Sequence, residues 1–188
     1  MHNLKPITPL GAETARVDQF SALTIAEVPD RALASLTARE GCKEFREKAS
    51  AFLGFELPSV GQSAAGSAYA AFWIGPESWM VDAPYGGNED LARQVKAAVE
   101  GSASVVEQTD GWCRFDLSGE ATIAVLERLC NADCQQMAVG AVTRTQIHHL
   151  GCFMWRQDGV FTVIGPRSSA GSLHHALMQT AQSVCGLD

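Results

Sequence analysis

Cys152-Phe-Met-Trp-Arg-Gln-Asp-Gly-Val-Phe-Thr-Val-Ile164 is the stretch that decides how this chain folds. Asp158-Gly159 is a two-residue hairpin signal, because a type I′ turn needs left-handed backbone at both central positions. A two-residue turn also fixes register. Trp155 then faces Thr162 and Phe153 faces Ile164 on one side of the ribbon; Met154 faces Val163 and Arg156 faces Phe161 on the other. Both sides are largely apolar, so the sheet that holds this hairpin is expected to be covered on both faces.

Downstream, Ser168 is placed to cap a last helix with Leu173, Ala176, Leu177, Thr180 and Val184 inward, and Gly186 ends it. Upstream, Val142 to Leu150 reads as a strand. Before that, Ala103 to Gln108 and Trp112 to Leu117 read as a hairpin around Asp110-Gly111, with Cys113, Phe115 and Leu117 buried and Arg114 and Asp116 wet. Ser118 is placed to cap a helix through Leu129, with Ile123, Leu126 and Cys130 on one face.

The earlier half repeats the pattern. Ser67 to Ile74 and Ser78 to Val81 form a hairpin on Gly75-Pro76-Glu77, and Asn88-Glu89-Asp90 opens a helix with Leu91, Val95, Ala98 and Val99 inward. Cys42, Phe45, Ala49, Phe52 and Leu53 make a helical stripe that stops at Gly54, and 58–66 is the loop expected to be most flexible. Ser21 to Val28 and Ala32 to Ala38 look like strands around Pro29-Asp30-Arg31, although a helix over 29–40 competes. Strand pairs alternating with single helices give an α+β class: successive ββα units, largely antiparallel sheets backed by helices. The expected division is an extended arm at 1–20, one lobe at 21–101 and a second at 102–188, packed as one compact unit.

The composition narrows function. At 188 residues, 46% hydrophobic and 19% charged, the chain can bury a core without metal or disulfide staples. A net charge of −7 with only 14 Lys+Arg leaves no basic footprint for nucleic acid. No apolar run approaches the roughly 20 residues of a membrane span, and the start, Met1-His-Asn-Leu-Lys-Pro6, has no secretory apolar segment. The cytoplasm is the expected compartment, where the six cysteines would be thiols.

Candidate chemistry is sparse. Cys130-Asn-Ala-Asp-Cys134 offers two metal ligands where structural zinc wants four, so one helix-end core cysteine and one loop cysteine is the better reading. His148-His149, read as strand neighbours, point to opposite faces, and His174-His175 lie on the last helix. Surface or interface histidines are expected there. Gly165-Pro-Arg-Ser-Ser169 before a helix is either plain capping or a cradle for a partner's carboxylate. No G-x-S-x-G and no strand-borne G-x-G-x-x-G is present, and no catalytic, cofactor-binding or metal residue is assigned. Trp155 is the expected partner anchor, with Arg167 as a charged rim contact.

Three stretches carry a family resemblance. Trp73-Ile-Gly-Pro-Glu-Ser-Trp-Met80 resembles a "W-x-GP-x-x-W-L" hairpin. Thr109 to Ala121, through Leu129-Cys-Asn-Ala-Asp133, resembles the strand, helix and following Asp of folate-binding aminomethyltransferases. Pro166-Arg-Ser-Ser-Ala-Gly-Ser-Leu173 resembles the "R-S-x-A-x-S-L" run of the gamma subunits of heterotetrameric sarcosine oxidase. The last resemblance implies a non-catalytic subunit of a complex that demethylates sarcosine oxidatively to glycine, with hydrogen peroxide formed and a one-carbon unit passed to tetrahydrofolate. It implies alpha, beta and delta subunits as partners, with flavins, NAD, zinc and folate held on them and no cofactor on this chain. The folate-binding relatives use an acidic residue in the region here occupied by His148-His-Leu-Gly-Cys-Phe153, which has no Asp or Glu. A stand-alone folate-binding protein or one-carbon transferase of the aminomethyltransferase family is the alternative.

Overall fold

The computed structural model describes residues 5–186. In chain order its elements are β1 (Val17–Phe20), β2 (Leu23–Glu27), β3 (Arg31–Ala38), α1 (Phe45–Leu53), β4 (Ser63–Ala65), β5 (Ala70–Gly75) and β6 (Ser78–Pro84). Then follow α2 (Leu91–Val99), β7 (Ala103–Glu107), β8 (Trp112–Ser118), α3 (Thr122–Leu129), β9 (Val142–Ile147), β10 (Leu150–Gln157), β11 (Val160–Pro166) and α4 (Ala170–Cys185). The α+β class holds, with two antiparallel sheets backed by helices.

The β10–β11 hairpin has the register that the Asp158-Gly159 turn dictates: Phe153 faces Ile164, Met154 faces Val163, Trp155 faces Thr162 and Arg156 faces Phe161. It lies in a six-stranded sheet of order β1-β2-β8-β11-β10-β9. This sheet organises one compact unit, made of residues up to Pro29, Asp110–Val139 and Thr143 onward. Its core joins Cys113, Phe115 and Leu117 of β8 to Met154 and Val163 of the hairpin. Val125 and Leu126 of α3 and Leu173 and Leu177 of α4 cover that face. α4 packs closely because Gly165 has no side chain: a Cβ there would sit 2.7 Å from Leu173 Cδ2 and 3.3 Å from Cys152 Sγ.

The other face of the hairpin is not bare. Phe153, Trp155, Thr162 and Ile164 are all buried. Polar groups there are paired across strands: Thr162 donates to Asp116 Oδ1 at 2.7 Å, and Arg114 Nε donates to Asp116 Oδ1 at 2.9 Å. Arg114 and Asp116 were expected to be wet; their side chains are 12% and 25% exposed, because this face of β8 lies beside the covered face of β11.

The second unit, Asp30–Thr109 with Gly140–Val142, holds a five-stranded sheet of order β4-β5-β6-β3-β7. α1 and α2 contribute Phe45, Leu53, Leu91 and Val95 to a core with Leu36, Trp79 and Val81. The Trp79 indole N–H is satisfied by the Pro58 carbonyl at 2.9 Å, and Gly54 ends α1 with left-handed backbone at φ 80°.

Several expectations are corrected. The Pro29-Asp30 and Asp110-Gly111 turns do not close hairpins. β2 and β8 pair with each other, whereas β3 and β7 pair in the other sheet. Turn residues mark where a chain can change direction; they do not choose the partner strand. The contiguous lobes at 21–101 and 102–188 are therefore replaced by interleaved segments. No helix forms over 29–40; β3 occupies it, paired on both edges. The 58–66 loop contains the short strand β4, and Gln62 just before it forms an isolated bridge with Ala141.

Helix starts also moved. Ser118 ends β8, and α3 begins only at Thr122, because the turn at Gly119 passes directly over Ala22. Its buried face is Thr122, Val125 and Leu126, with Ile123 and Cys130 partly buried beside it. Ser168 lies in a 3-10 turn (Arg167–Ser169), and Ser169 stands at the N-cap of α4 without a side-chain bond. Residues 1–4 of the expected arm lie outside the described residues. The rest is tied down: the Leu10 and Arg16 backbone N–H groups donate to Glu27 Oε1 and Oε2 at 2.9 and 3.0 Å, and Glu27 is buried.

Candidate functional site

A groove of about 710 Å³ opens where α3 ends beside β9 and β10, lined by Arg128, Cys130, Asn131, Arg144, Thr145 and Gly151 among others. Cys130 terminates the helix. Its backbone is extended (φ −143°, ψ 168°), while its N–H still reaches the Leu126 carbonyl and its Sγ lies 3.3 Å from that oxygen. The chain then turns through Asn131-Ala132-Asp133 and returns Cys134 to the core, fully buried.

The neighbouring Cys134 thiol lowers the Cys130 pKa to about 6, aided by the Ala132 backbone and the Thr145 hydroxyl and opposed by burial. Cys134 is pushed the other way: the neighbouring Cys130 favours its protonated form, burial penalises its anion, and Glu127 and Asp133 add like charge. Around the pair, Thr145 donates to Asn131 Oδ1 at 3.1 Å, Arg128 donates to Ser183 Oγ at 3.1 Å, and the Arg144 guanidinium lies 5.8 Å from the Phe153 ring centre.

The other cysteines differ. Cys113 and Cys152 are buried on β8 and β10, and burial pushes each up to about 11. Cys42 and Cys185 are half-buried. Among the described residues, no cluster of three or more His, Cys, Asp or Glu side chains could hold a metal ion.

The histidines are not where strand alternation puts them. His148 and His149 form the turn between β9 and β10, with φ of 48° and 67°. His174 is buried rather than at the surface, with its Nε2 2.7 Å from Asp18 Oδ2 on β1. Arg167 donates to the Ile7 carbonyl at 3.0 Å and lies 3.7 Å from Asp110 Oδ1, beside a hollow bordered by Thr8, Pro9 and Gly11. Trp155 is 4% exposed, under the Arg114 guanidinium at 5.4 Å from the ring centre. The open anchor expected there is a covered ring.

Sequence reasoning passed over the thiol pair, the Asp18–His174 bond and the Glu27 clamp. C-x₃-C just past a helix was the only signal for the first. The other two join residues distant in sequence and had none.

No family model matches the chain. Two curated relatives do. Over 122 residues it is 30% identical to "Sarcosine oxidase subunit gamma" of Arthrobacter sp, and over 123 residues 31% identical to the protein of the same name from Corynebacterium sp. (strain P-1). Over that stretch the chain is similar to sarcosine oxidase gamma subunits. The matched stretch covers 62% of this chain and 59% of each relative, less than two thirds of their length. A chain of heterotetrameric sarcosine oxidase from Corynebacterium sp. U-96, solved with pyrrole 2-carboxylate, has the same fold: TM-score 0.80, 22% identity, 92% of this chain and 90% of that one covered. The glycine cleavage system aminomethyltransferase T of Bartonella henselae shares it at TM-score 0.72 and 15% identity, over 93% of this chain and 57% of that chain.

Proposed function

We propose that this chain is the gamma subunit of a heterotetrameric sarcosine oxidase, serving assembly and structure while chemistry proceeds on its partners. The observation that carries the reading is the agreement of sequence and fold. The relatives at 30 and 31% identity are gamma subunits, and a chain of a sarcosine oxidase heterotetramer has this fold along 90% of its length. The likeness to aminomethyltransferase T is one of fold at 15% identity, so it does not favour one-carbon transfer by this chain.

In this reading alpha, beta and delta subunits are the partners, the flavins, NAD, zinc and folate belong to them, and the complex works in the cytoplasm. The absence of a membrane-length apolar helix among the described residues is compatible with that setting. The test is co-expression of the affinity-tagged chain with the polypeptides encoded beside it. Their co-purification, with sarcosine-dependent peroxide release from the complex but not from the chain alone, is the expected result. A chain that purifies alone from that mixture, or that turns over sarcosine by itself, overturns the reading.

A further inference from the structure

Arg128 and Arg144 stand apart from most arginines of this chain. Acids outnumber bases, 21 to 14, and elsewhere guanidinium groups are paired: Arg16 with Asp18, Arg31 with Asp82, Arg46 with Glu77 and Arg114 with Asp116. Arg128 and Arg144 line one groove, both exposed, and among the described residues no carboxylate pairs with either. Arg128 donates to the Ser183 hydroxyl, and Arg144 lies over the Phe153 ring. We propose that this groove is a binding site for a small dicarboxylate, with one guanidinium taking each carboxylate group.

The rest of the wall adds donors. Thr145 is buried, and its hydroxyl donates to Asn131 Oδ1 at 3.1 Å. That bond occupies the acceptor of the Asn131 amide and leaves its two N–H donors for a ligand. No described Asp or Glu lines the groove; Asp133, close in sequence, accepts the Gln136 backbone N–H at 3.1 Å. The volume of about 710 Å³ lies within the roughly 300–1,000 Å³ of small-molecule clefts.

Charge decides the class of ligand. The groove opens at the C-terminal end of α3, where the macrodipole places about half a negative charge. Two full positive charges exceed it, and they still do when the Cys130 thiol is ionised as well. That margin suits carboxylates, each with one charge and a planar edge that the guanidinium fork matches bidentately. A phosphate group gathers up to about two charges on one centre and favours helix N-termini, the opposite end. A dicarboxylate uses both arginines; a monocarboxylate uses one. The inference does not rest on the proposed subunit role.

The full-length chain would be titrated calorimetrically at low ionic strength with succinate, glutarate, acetate and inorganic phosphate. Saturable binding of succinate or glutarate to one site is expected, at least about tenfold tighter than acetate or phosphate. Arg128→Gln and Arg144→Gln should each weaken it at least about tenfold, since hydrogen bonds between charged groups are lost. Lys96→Gln removes an exposed charge on α2, outside the groove, and should leave binding unchanged. Should a groove variant fail to fold, the unaltered chain reads the same site: succinate should shield Cys130 from iodoacetamide and leave Cys42 and Cys185 unshielded. Absence of saturable dicarboxylate binding, equal affinity for acetate, tighter binding of phosphate, or binding that survives both arginine substitutions overturns the proposal. Failed binding together with lower recovery of the co-expressed complex in the two variants overturns it in favour of an acidic segment of a partner chain.

Discussion

His174 Nε2 lies 2.7 Å from Asp18 Oδ2, joining the last helix to the first strand across 156 positions of sequence. Both side chains are nearly closed to solvent, and Arg16 Nε donates to the same carboxylate at 3.0 Å. Burial pushes the Asp18 pKa up, but the bonds from Arg16 and His174 outweigh it and hold the carboxyl below its usual range.

A folded pKa below the unfolded value stabilises the charged form. The contribution is therefore complete above the unfolded value of about 3.9 and is lost as pH falls through the lower, folded value. Asp18→Asn should cost about 1–3 kcal/mol near neutral pH, since it removes a charge-assisted acceptor and leaves His174 short of a partner. The difference between variant and parent should shrink on acidification below pH ~4, read from urea midpoints at a series of pH values. A constant difference across that range would refute the assignment.

How far the sequence could be read follows from how local each signal was. The β10–β11 register was legible because two turn residues and an alternating pattern determine it within thirteen positions. The thiol pair was half legible, through its spacing. Partner choice for β2, β3, β7 and β8 was not, because the strand that wins an edge is set by burial across the whole sheet. Asp18 and His174, or Glu27 and the Leu10 N–H, meet only after that topology forms, so no window of sequence contained them.

The His148-His149 turn predicts a stabilising change. Both residues hold left-handed backbone, which costs a side-chain-bearing residue energy, and the reversal between β9 and β10 is the geometry that Asn-Gly favours. The double change His148→Asn with His149→Gly should raise stability by about 1 kcal/mol. Thermal unfolding of the pair against the parent checks it; a lower midpoint would mean that the imidazoles contribute more than the strain costs.

Two glycines should differ in their tolerance of a methyl group. At Gly119, φ is +116° and a Cβ would lie 2.4 Å from the Ala22 carbonyl oxygen, which is backbone and cannot step aside. At Gly165 the nearest atom, at 2.7 Å, is the tip of the Leu173 side chain, which can turn. Gly165→Ala should therefore cost about 1–3 kcal/mol, the range of ordinary overpacking, and Gly119→Ala more than that. Equal urea midpoints for the two variants would contradict this order.

Trp155 and Arg167 differ in exposure, and that difference assigns them different jobs. The Trp155 ring is 4% exposed, faces Thr162 across the hairpin and has the Arg114 guanidinium over it. Truncating it leaves a cavity, so Trp155→Ala should lower the stability of the isolated chain by about 3–5 kcal/mol. An open anchor would behave otherwise: its loss would leave isolated stability within about 0.5 kcal/mol and show only in assembly. Arg167 is 30% exposed, and its contacts to Ile7 and to the well-solvated Asp110 should contribute less than about 1 kcal/mol to folding. As a rim contact with a partner, its replacement by Ala should lower recovery of the co-expressed complex while the urea midpoint of the lone chain stays put. Recovery unchanged by Arg167→Ala would leave it as a clasp on the N-terminal segment and remove it from the docking surface.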